Sequence, residues 1–144
     1  MKIYHIKTDG KASSTGAVMR AMVRKYYLDM VPYASLSAIE MFTVIKNLPY
    51  RPDPPNVETL MRPKYTMTMQ GYGGDCDCKA LALAAWAYLQ KIPYRFIAIR
   101  RPGRAVLHHV AIELYMEKQW IFFDPTYRFN SFGEKREEAE RVII

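Results

Sequence analysis

Cysteine and long apolar runs are what this sequence most lacks. Its 144 residues include two cysteines, Cys76 and Cys78, which stand one residue apart. Residues so close in sequence are poorly placed for an ordinary disulfide, so the chain is not a secreted disulfide scaffold. The longest apolar run, 80–89, has ten residues, whereas a membrane-spanning helix needs roughly 20. We therefore expect a buried helix there and no membrane partner.

Disorder and a secretory leader are also not indicated. Half of the residues are hydrophobic and 13% are aromatic, which is the composition of a globular chain. The first ten residues carry lysines but no long apolar core of a signal peptide, so no secretory signal is visible. A length of 144 residues fits one domain with a hydrophobic core, and we assign a single domain to residues 1–144.

Positive charge is present in excess but is not concentrated. The net charge is +7, and each third of the chain (1–50, 51–100 and 101–144) holds seven Lys or Arg residues. Charge spread in this way gives a surface mild affinity for anions. No recognition motif accompanies it, so nucleic acid is not expected as a partner. The tightest basic cluster hints at an acidic substrate or partner: Arg100, Arg101 and Arg104.

Residues 1–48 predict a short edge strand or ordered arm at 2–7, followed by two helices. The first helix is expected to end at Met30 and to be capped by one of three hydroxyl side chains, Ser13, Ser14 or Thr15. The second is expected to begin at Ser35 or Ser37 and to end at Asn47. It should bury one apolar stripe, made of Ile39, Phe42, Val44 and Ile45.

The middle of the chain predicts an extended connection and a central helix. Residues 49–66 contain five prolines, which cannot donate to helix or sheet ladders. From Asp75 or Cys76 to about Lys91 the sequence is apolar on nearly every side, which is typical of a buried helix. Three glycines before this helix allow a sharp turn and the close approach of a ligand: Gly71, Gly73 and Gly74.

The last third predicts strands at 94–100, 107–115 and 119–124, of which the last two form an antiparallel hairpin. The charged residues 134–141, in the tail 128–144, predict a solvated helix or a frayed end. We therefore expect an α+β fold.

A candidate thiol nucleophile lies at the start of the predicted central helix. Such a nucleophile needs a lowered pKa, and the partial positive charge of a helix N-terminus lowers it. Cys76 stands at this start, with its backbone N–H expected to serve as an oxyanion donor. The thiol also requires a histidine base and a third group that orients the histidine.

The predicted hairpin offers both of these partners. With a turn near residue 117, His109 lies about eight residues before the turn and Asp124 about seven after it, which places them roughly opposite each other. Cross-strand neighbours lie about 5 Å apart at Cβ, which lets an aspartate hold an imidazole. By alternation, His108 should point to the other face and be structural or exposed.

The same residues carry a family resemblance. The string 74–77 (GDCD), followed by 79–81 (KAL), resembles the nucleophile motif of transglutaminase-like proteins. The later marks of that family appear in the same order, at 91–95 (KIPYR), 109–113 (HVAIE) and 120–126 (WIFFDPT). The lead-in at 51–55, with Glu58, is similar to versions carried by bacteriophages and bacteria. The resemblance covers about residues 49–127, the motif-bearing core.

The resemblance implies a papain-like core, in which a central helix with Cys76 packs on a small antiparallel sheet with His109 and Asp124. These three residues would form a catalytic triad for acyl transfer on amide bonds, in a cysteine peptidase, an amidase or a transglutaminase. Gln70 is similar to the glutamine that completes the oxyanion hole of papain-like enzymes. No metal or organic cofactor is expected.

The expected substrates are proteins or peptides, including the peptides of peptidoglycan, and the expected location is the cytoplasm or a virion. The alternative is a catalytically inert module of the same fold that serves as a binding or structural protein, for example together with other proteins of a phage particle. A zinc site is disfavoured. The two cysteines at a helix start point in different directions, and so do the two adjacent histidines on a strand, so the four side chains do not converge on one ion. Cys78 is expected to be a small buried hydrophobe.

Overall fold

The computed structural model describes residues 5–7, 11–54, 59–67, 71–134 and 136–144. The elements run in the order β1 (His5–Lys7), α1 (Ala12–Tyr26), a 3₁₀ helix (Tyr27–Tyr33), α2 (Ala38–Lys46), β2 (Thr59–Met61), α3 (Pro63–Met67), α4 (Cys76–Leu89), β3 (Tyr94–Arg100), β4 (His109–Met116), β5 (Gln119–Phe123) and β6 (Glu140–Ile143). Four strands form an antiparallel sheet in the order β5–β4–β3–β6, and β1 pairs with β2. The chain is therefore mixed α+β, as predicted.

Helix α4 occupies the centre of the core. Its residues 77–87 are all buried, and it packs on β3 and β4 as well as on α1, α2 and the 3₁₀ helix. Alanines at five of its buried positions let these neighbours approach closely. Trp86 anchors its far end by donating its indole N–H to the Tyr33 carbonyl at 3.0 Å. The predicted buried helix is confirmed, and it ends two residues before the predicted Lys91.

The β4–β5 hairpin is also confirmed. Its two turn residues, Glu117 and Lys118, have φ of 54° and 63°. Positive φ at both positions is the mark of the type I′ turn, whose twist matches that of the flanking strands. The ladder pairs Met116 with Gln119 next to this turn. A two-residue turn of this type fixes the register of every residue further along the two strands.

The charged tail differs from the prediction. Instead of a helix or a frayed end, Glu140–Ile143 forms the edge strand β6 and pairs antiparallel with β3. Its Arg141 donates to Glu138 at 2.8 Å and to the buried Glu113 of β4 at 3.1 Å. A charged residue that finds a partner on a distant strand gives no local sign of it in the sequence.

The N-terminal helices are partly as predicted. The predicted hydroxyl caps of α1 are wrong, because α1 begins at Ala12, and its N-cap Lys11 makes no side-chain cap bond. The helix tightens into the 3₁₀ segment before Met30. Ser37 caps α2 in a reciprocal capping box with Glu40, as one of the two predicted starts requires. Of the expected apolar stripe, Ile39 is 51% exposed.

Residues 49–66 are not only an extended connection, because they contain β2 and most of α3. Among the described residues no single helix combines the length and the apolar composition needed to cross a membrane. One pair bent by 98°, Ala12–Tyr33 with Ala38–Lys46, meets both criteria jointly.

A tight backbone crossing sets the start of α4. Gly73 has φ of +82°, and a Cβ placed on it would lie 1.9 Å from the carbonyl oxygen of Pro49. The next residue, Gly74, donates its N–H to that same oxygen at 3.1 Å. The segment at Pro49 therefore fixes the position of the loop that leads into α4. The two backbones come so close at position 73 that a residue with a Cβ would clash, so glycine is required there.

We predict that Gly73→Ala destabilises the protein much more than Gly103→Ala. Gly103 shares the left-handed φ, at +85°, but has open space around it. Left-handed strain alone lowers the free energy of unfolding by about 1 kcal/mol, and the clash should bring the loss at Gly73 to about 3 kcal/mol. Urea denaturation measures both variants. If both variants lost the same free energy of unfolding, the backbone at Pro49 would have to move aside from the new Cβ at no cost.

Candidate functional site

Two element starts meet around a small cavity of about 80 Å³. Cys76 is the first residue of α4 and His109 the first residue of β4, and both line this cavity. The first turn of α1 contributes Ala12 and Thr15 to its wall, and the last residue, Ile144, contributes another part. Because α4 packs directly on β4, Cys76 and His109 line the same cavity.

A buried hydrogen bond joins His109 to Asp124. The distance from His109 Nε2 to Asp124 Oδ2 is 2.7 Å, and both residues are at most 6% exposed. An ionised carboxylate only accepts hydrogen bonds, so Nε2 must carry the proton. In the neutral imidazole the acceptor lone pair then lies on Nδ1, the ring nitrogen that Asp124 does not engage.

The register by which these two side chains meet differs from the predicted one. The ladder pairs Ile112 with Phe123, so Asp124, one residue past β5, lies level with Ala111 and not with His109. Asp124 is therefore a diagonal neighbour of His109 on the same face. Diagonal neighbours remain within reach of long and aromatic side chains, which explains the hydrogen bond.

Several groups around Asp124 hold its carboxylate ionised and oriented. Thr126 donates its hydroxyl at 2.6 Å and its N–H at 3.2 Å to Oδ1, Asn130 donates to the Asp124 carbonyl at 2.9 Å, and Arg101 lies 3.8 Å from Oδ2. Burial raises the pKa of Asp124. The hydrogen bond and charge of His109 and the bonds from Thr126 outweigh burial, so the pKa lies below its ordinary value.

The environment of the Cys76 thiol opposes the expected low pKa. Although the residue is only partly buried, desolvation of its thiol is the largest effect, and it raises the pKa well above the ordinary value. The charges of Asp77, Asp75 and Asp124 raise the pKa further, while the backbone N–H of Val110 lowers it. The expectation that the helix start would lower this pKa did not include the burial of the thiol, which is the largest of these effects.

Cys78 has the structural role that the sequence predicted. It is 4% exposed and packs under the turn before α4, where a Cβ on Gly74 would lie 2.6 Å from its own Cβ. Its N–H donates to the N-cap carboxylate of Asp75 at 3.3 Å. In the described part of the chain, one group could offer ligand atoms to a metal within 4.8 Å: Asp75, Asp77 and Cys78. The cap bond already accounts for the position of Asp75.

Three further residues were singled out in the sequence: His108, Gln70 and Glu58. His108 lines the same cavity as His109, because it precedes β4 and the alternation of a strand does not apply to it. Its Nδ1 lies 3.4 Å from the Val106 carbonyl oxygen, and it remains partly exposed. Gln70, the predicted oxyanion donor, and Glu58 lie outside the described residues.

Sequence reasoning missed three residues that support the site. The Asp-Pro-Thr string carried a usable signal for Thr126, since an aspartate commonly accepts from the N–H two residues later. Arg101 was noticed only as part of a basic loop, although it faces Asp124. Asn130 gave no signal, because its partner is a backbone carbonyl six residues earlier.

In comparisons with family models, curated proteins and solved structures, nothing matches the chain. The chemistry of the site therefore rests on its own geometry. That geometry combines a thiol at a helix N-terminus, a cavity shared with an imidazole, and a buried carboxylate that fixes the imidazole tautomer.

We predict that Thr126→Val raises the pKa of Asp124 and lowers the free energy of unfolding at neutral pH by about 2 kcal/mol, because it removes a hydrogen bond to a buried charge. A depressed carboxylate pKa stabilises the fold above the ordinary value and stops doing so as the pH falls through the folded-state value. The difference between wild type and variant should therefore shrink in acid. Urea denaturation across pH, with the Asp124 carboxyl followed by NMR, measures both effects. A difference that does not vary with pH would contradict this account.

We also predict that Asp77→Asn lowers the pKa of the Cys76 thiol. Of the two neighbouring carboxylates, Asp77 raises this pKa more, and the substitution removes its charge. At any pH below that pKa, each unit of decrease raises the thiolate fraction about tenfold. The measurement is the rate of iodoacetamide labelling at Cys76 against pH. The matched control is Glu117→Gln, at an exposed carboxylate in the β4–β5 turn; an equal change in both variants would refute the assignment.

Proposed function

We propose that the protein is a thiol-dependent acyl-transfer enzyme of the transglutaminase-like, papain-like class, with Cys76, His109 and Asp124 as its catalytic triad. The observation that carries this proposal is the buried 2.7 Å bond between His109 and Asp124, at the cavity that Cys76 also lines. Thiol catalysis requires a cysteine, a base that shares its surroundings, and a third group that orients the base.

The first half of the reaction follows from the tautomer. Nδ1 of His109 accepts the thiol proton while Asp124 holds Nε2–H and stabilises the imidazolium. The thiolate of Cys76 attacks the carbonyl carbon of an amide, a C–S bond forms, and the carbonyl electrons move to oxygen. The oxyanion then collapses, the C–N bond breaks, and Nδ1–H of His109 protonates the leaving amine.

The electrostatics of Cys76 favour a proton transfer that is coupled to binding. Because burial and neighbouring acids disfavour an isolated thiolate, the negative charge is stable only beside an imidazolium. The Cys76 N–H, among the first N–H groups of α4, lacks an intrahelical acceptor and suits the role of oxyanion donor.

The second half of the reaction depends on the acceptor. Water attacking the thioester, with His109 as the base, gives a peptidase or an amidase, and a primary amine gives a transglutaminase. Proteins or peptides, including those of peptidoglycan, are the substrate class that suits either chemistry. The resemblance to versions in bacteriophages and bacteria is the ground for placing the protein in the cytoplasm or in a virion.

A second candidate function is a catalytically inert module of the same fold. The raised pKa of the Cys76 thiol favours it, because a thiol that stays protonated is a poor nucleophile. In that case the protein has a binding or structural role, and its expected partners are other proteins of a phage particle.

We predict that His109→Ala raises the apparent pKa with which iodoacetamide alkylates Cys76, relative to the wild type. The physical reason is that the imidazolium is the charge that offsets the acids and the burial. Labelling rates between pH 4 and pH 10, with the site identified by mass spectrometry, make the measurement.

His108→Ala is the matched control, since His108 lines the same cavity without contacting Asp124. It should change the labelling profile far less than His109→Ala does. A Cys78→Ala background removes any signal from the second thiol. An inert Cys76, or one that titrates alike in all variants, would reject the enzyme and leave the inert module.

A further inference from the structure

A second, larger pocket lies on another side of α4. It encloses about 370 Å³ between the end of α2, the middle of α4 and the segment that follows β5. It shares no lining residue with the cavity of His109. Its described lining includes three cations, three aromatic side chains and no acidic residue: Lys46, Lys79, Arg128, Tyr50, Tyr127 and Phe129.

The deepest of these cations is incompletely paired. Lys79 is 1% exposed, and its Nζ donates to the carbonyls of Leu48 at 2.6 Å and Thr126 at 2.8 Å. An ammonium has three donors, so these two carbonyls, its partners among the described residues, leave one. Burial lowers the pKa of Lys79 to about 8, although the charge of Asp124 acts against this. A buried ammonium that has carbonyls but no contacting carboxylate gains from an anion placed beside it.

The rest of the pocket suits an anion with a flat or apolar stem. Lys46 donates its Nζ to the Asn130 carbonyl at 2.9 Å, which fixes one ammonium at the wall. The rings of Tyr127 and Phe129 stack at 5.0 Å with 5° between their planes, and Tyr50 lies 5.3 Å from Tyr127. These rings offer apolar surface around the cationic floor.

The pocket also lies next to the thiol. Tyr50 forms a bridge with Gly74, two residues before Cys76. The pKa of Tyr50 is raised by burial, by Tyr127 and then by the charge of Cys76, so the Tyr50 hydroxyl and the thiol are electrostatic neighbours. Lys79 follows Cys76 by three residues, which is about 4.5 Å along the helix axis.

We propose that this pocket binds a carboxylate of the substrate, with Lys79 and Lys46 taking its oxygens and the aromatic rings its stem. A carboxylate is the common anion of peptides, and its single charge matches one deeply buried ammonium. The substrate class is therefore an acidic peptide amide, with the carboxylate a few atoms from the scissile bond. The substrate class rests on the proposed function, whereas carboxylate binding does not.

Binding is tested on the whole chain by NMR, with 3-phenylpropanoate as the probe, its primary amide as the neutral isostere, and inorganic phosphate as the rival anion. We expect the carboxylate to shift the backbone amides of 127–129 and to bind at least about tenfold more tightly than the amide, as a charged hydrogen bond implies. Lys46→Met and Arg128→Gln should each weaken binding severalfold. Lys64→Met, at an exposed site away from the pocket, should not.

Three results would overturn the proposal. One is equal binding of the carboxylate and the amide, another is binding by phosphate but not by the carboxylate, and the third is no saturable shift at any of 127–129. Lys79→Met should abolish the preference for the carboxylate. Its fold is checked in the same spectra, and if it unfolds, the Lys46 and Arg128 variants decide.

A second measurement separates this proposal from the proposed function. The reagents are N-iodoacetyl-β-alanine and its amide, which carry the same reactive carbon but differ in charge. Faster labelling of Cys76 by the acid, lost in Lys46→Met, supports the substrate class, and equal rates reject it. An unreactive Cys76 with intact carboxylate binding rejects the enzyme and retains the anion site.

Discussion

The buried hydrogen bond between His109 and Asp124 is the interaction on which the site depends. It fixes the imidazole tautomer, and its geometry is inherited from structure on both sides. The type I′ turn sets the β4–β5 register, and that register brings Asp124 to the face of His109 as a diagonal neighbour. From the segment that follows β5, Thr126 donates to the carboxylate of Asp124, and Asn130 donates to its backbone carbonyl. These supports come from the hairpin and its exit, and Arg101 adds a positive charge from the loop before β4.

Opposite charges are distributed unevenly around α4. Its N-terminus carries carboxylates at positions 75 and 77, which oppose a thiolate, while one turn further Lys79 is buried among backbone carbonyls. The helix therefore presents an acidic environment at the thiol and a cationic one at the neighbouring pocket. An anionic group is attracted to the second environment and repelled by the first, so a ligand that spanned both pockets would favour one orientation.

Features with local causes were predictable from the sequence, and those with distant causes were not. The buried α4, the hairpin and the Ser37 capping box follow from apolar pattern, turn length and cap chemistry. Strand β6 was missed because Arg141 is paired with Glu113, 28 residues away. The site divides in the same way. Hairpin arithmetic predicted that Asp124 reaches His109, although as a direct and not as a diagonal neighbour. The raised pKa of the thiol depends on burial, which a sequence does not show.

The wall of the cavity beside Cys76 brings together residues from near both ends of the described chain. Ala12 and Ile144 both line it, and Ile144 packs so closely on α1 that a Cβ on Gly16 would lie 2.7 Å from its carbonyl carbon. Contacts between residues so far apart in sequence carry a larger entropic cost of loop closure than the contacts within helices and hairpins. The hairpin can form early from neighbouring residues, but the enclosed cavity exists only once β6 has joined β3. We therefore expect the cavity around the thiol to close late in folding, because its wall depends on the chain topology as well as on the residues that line it.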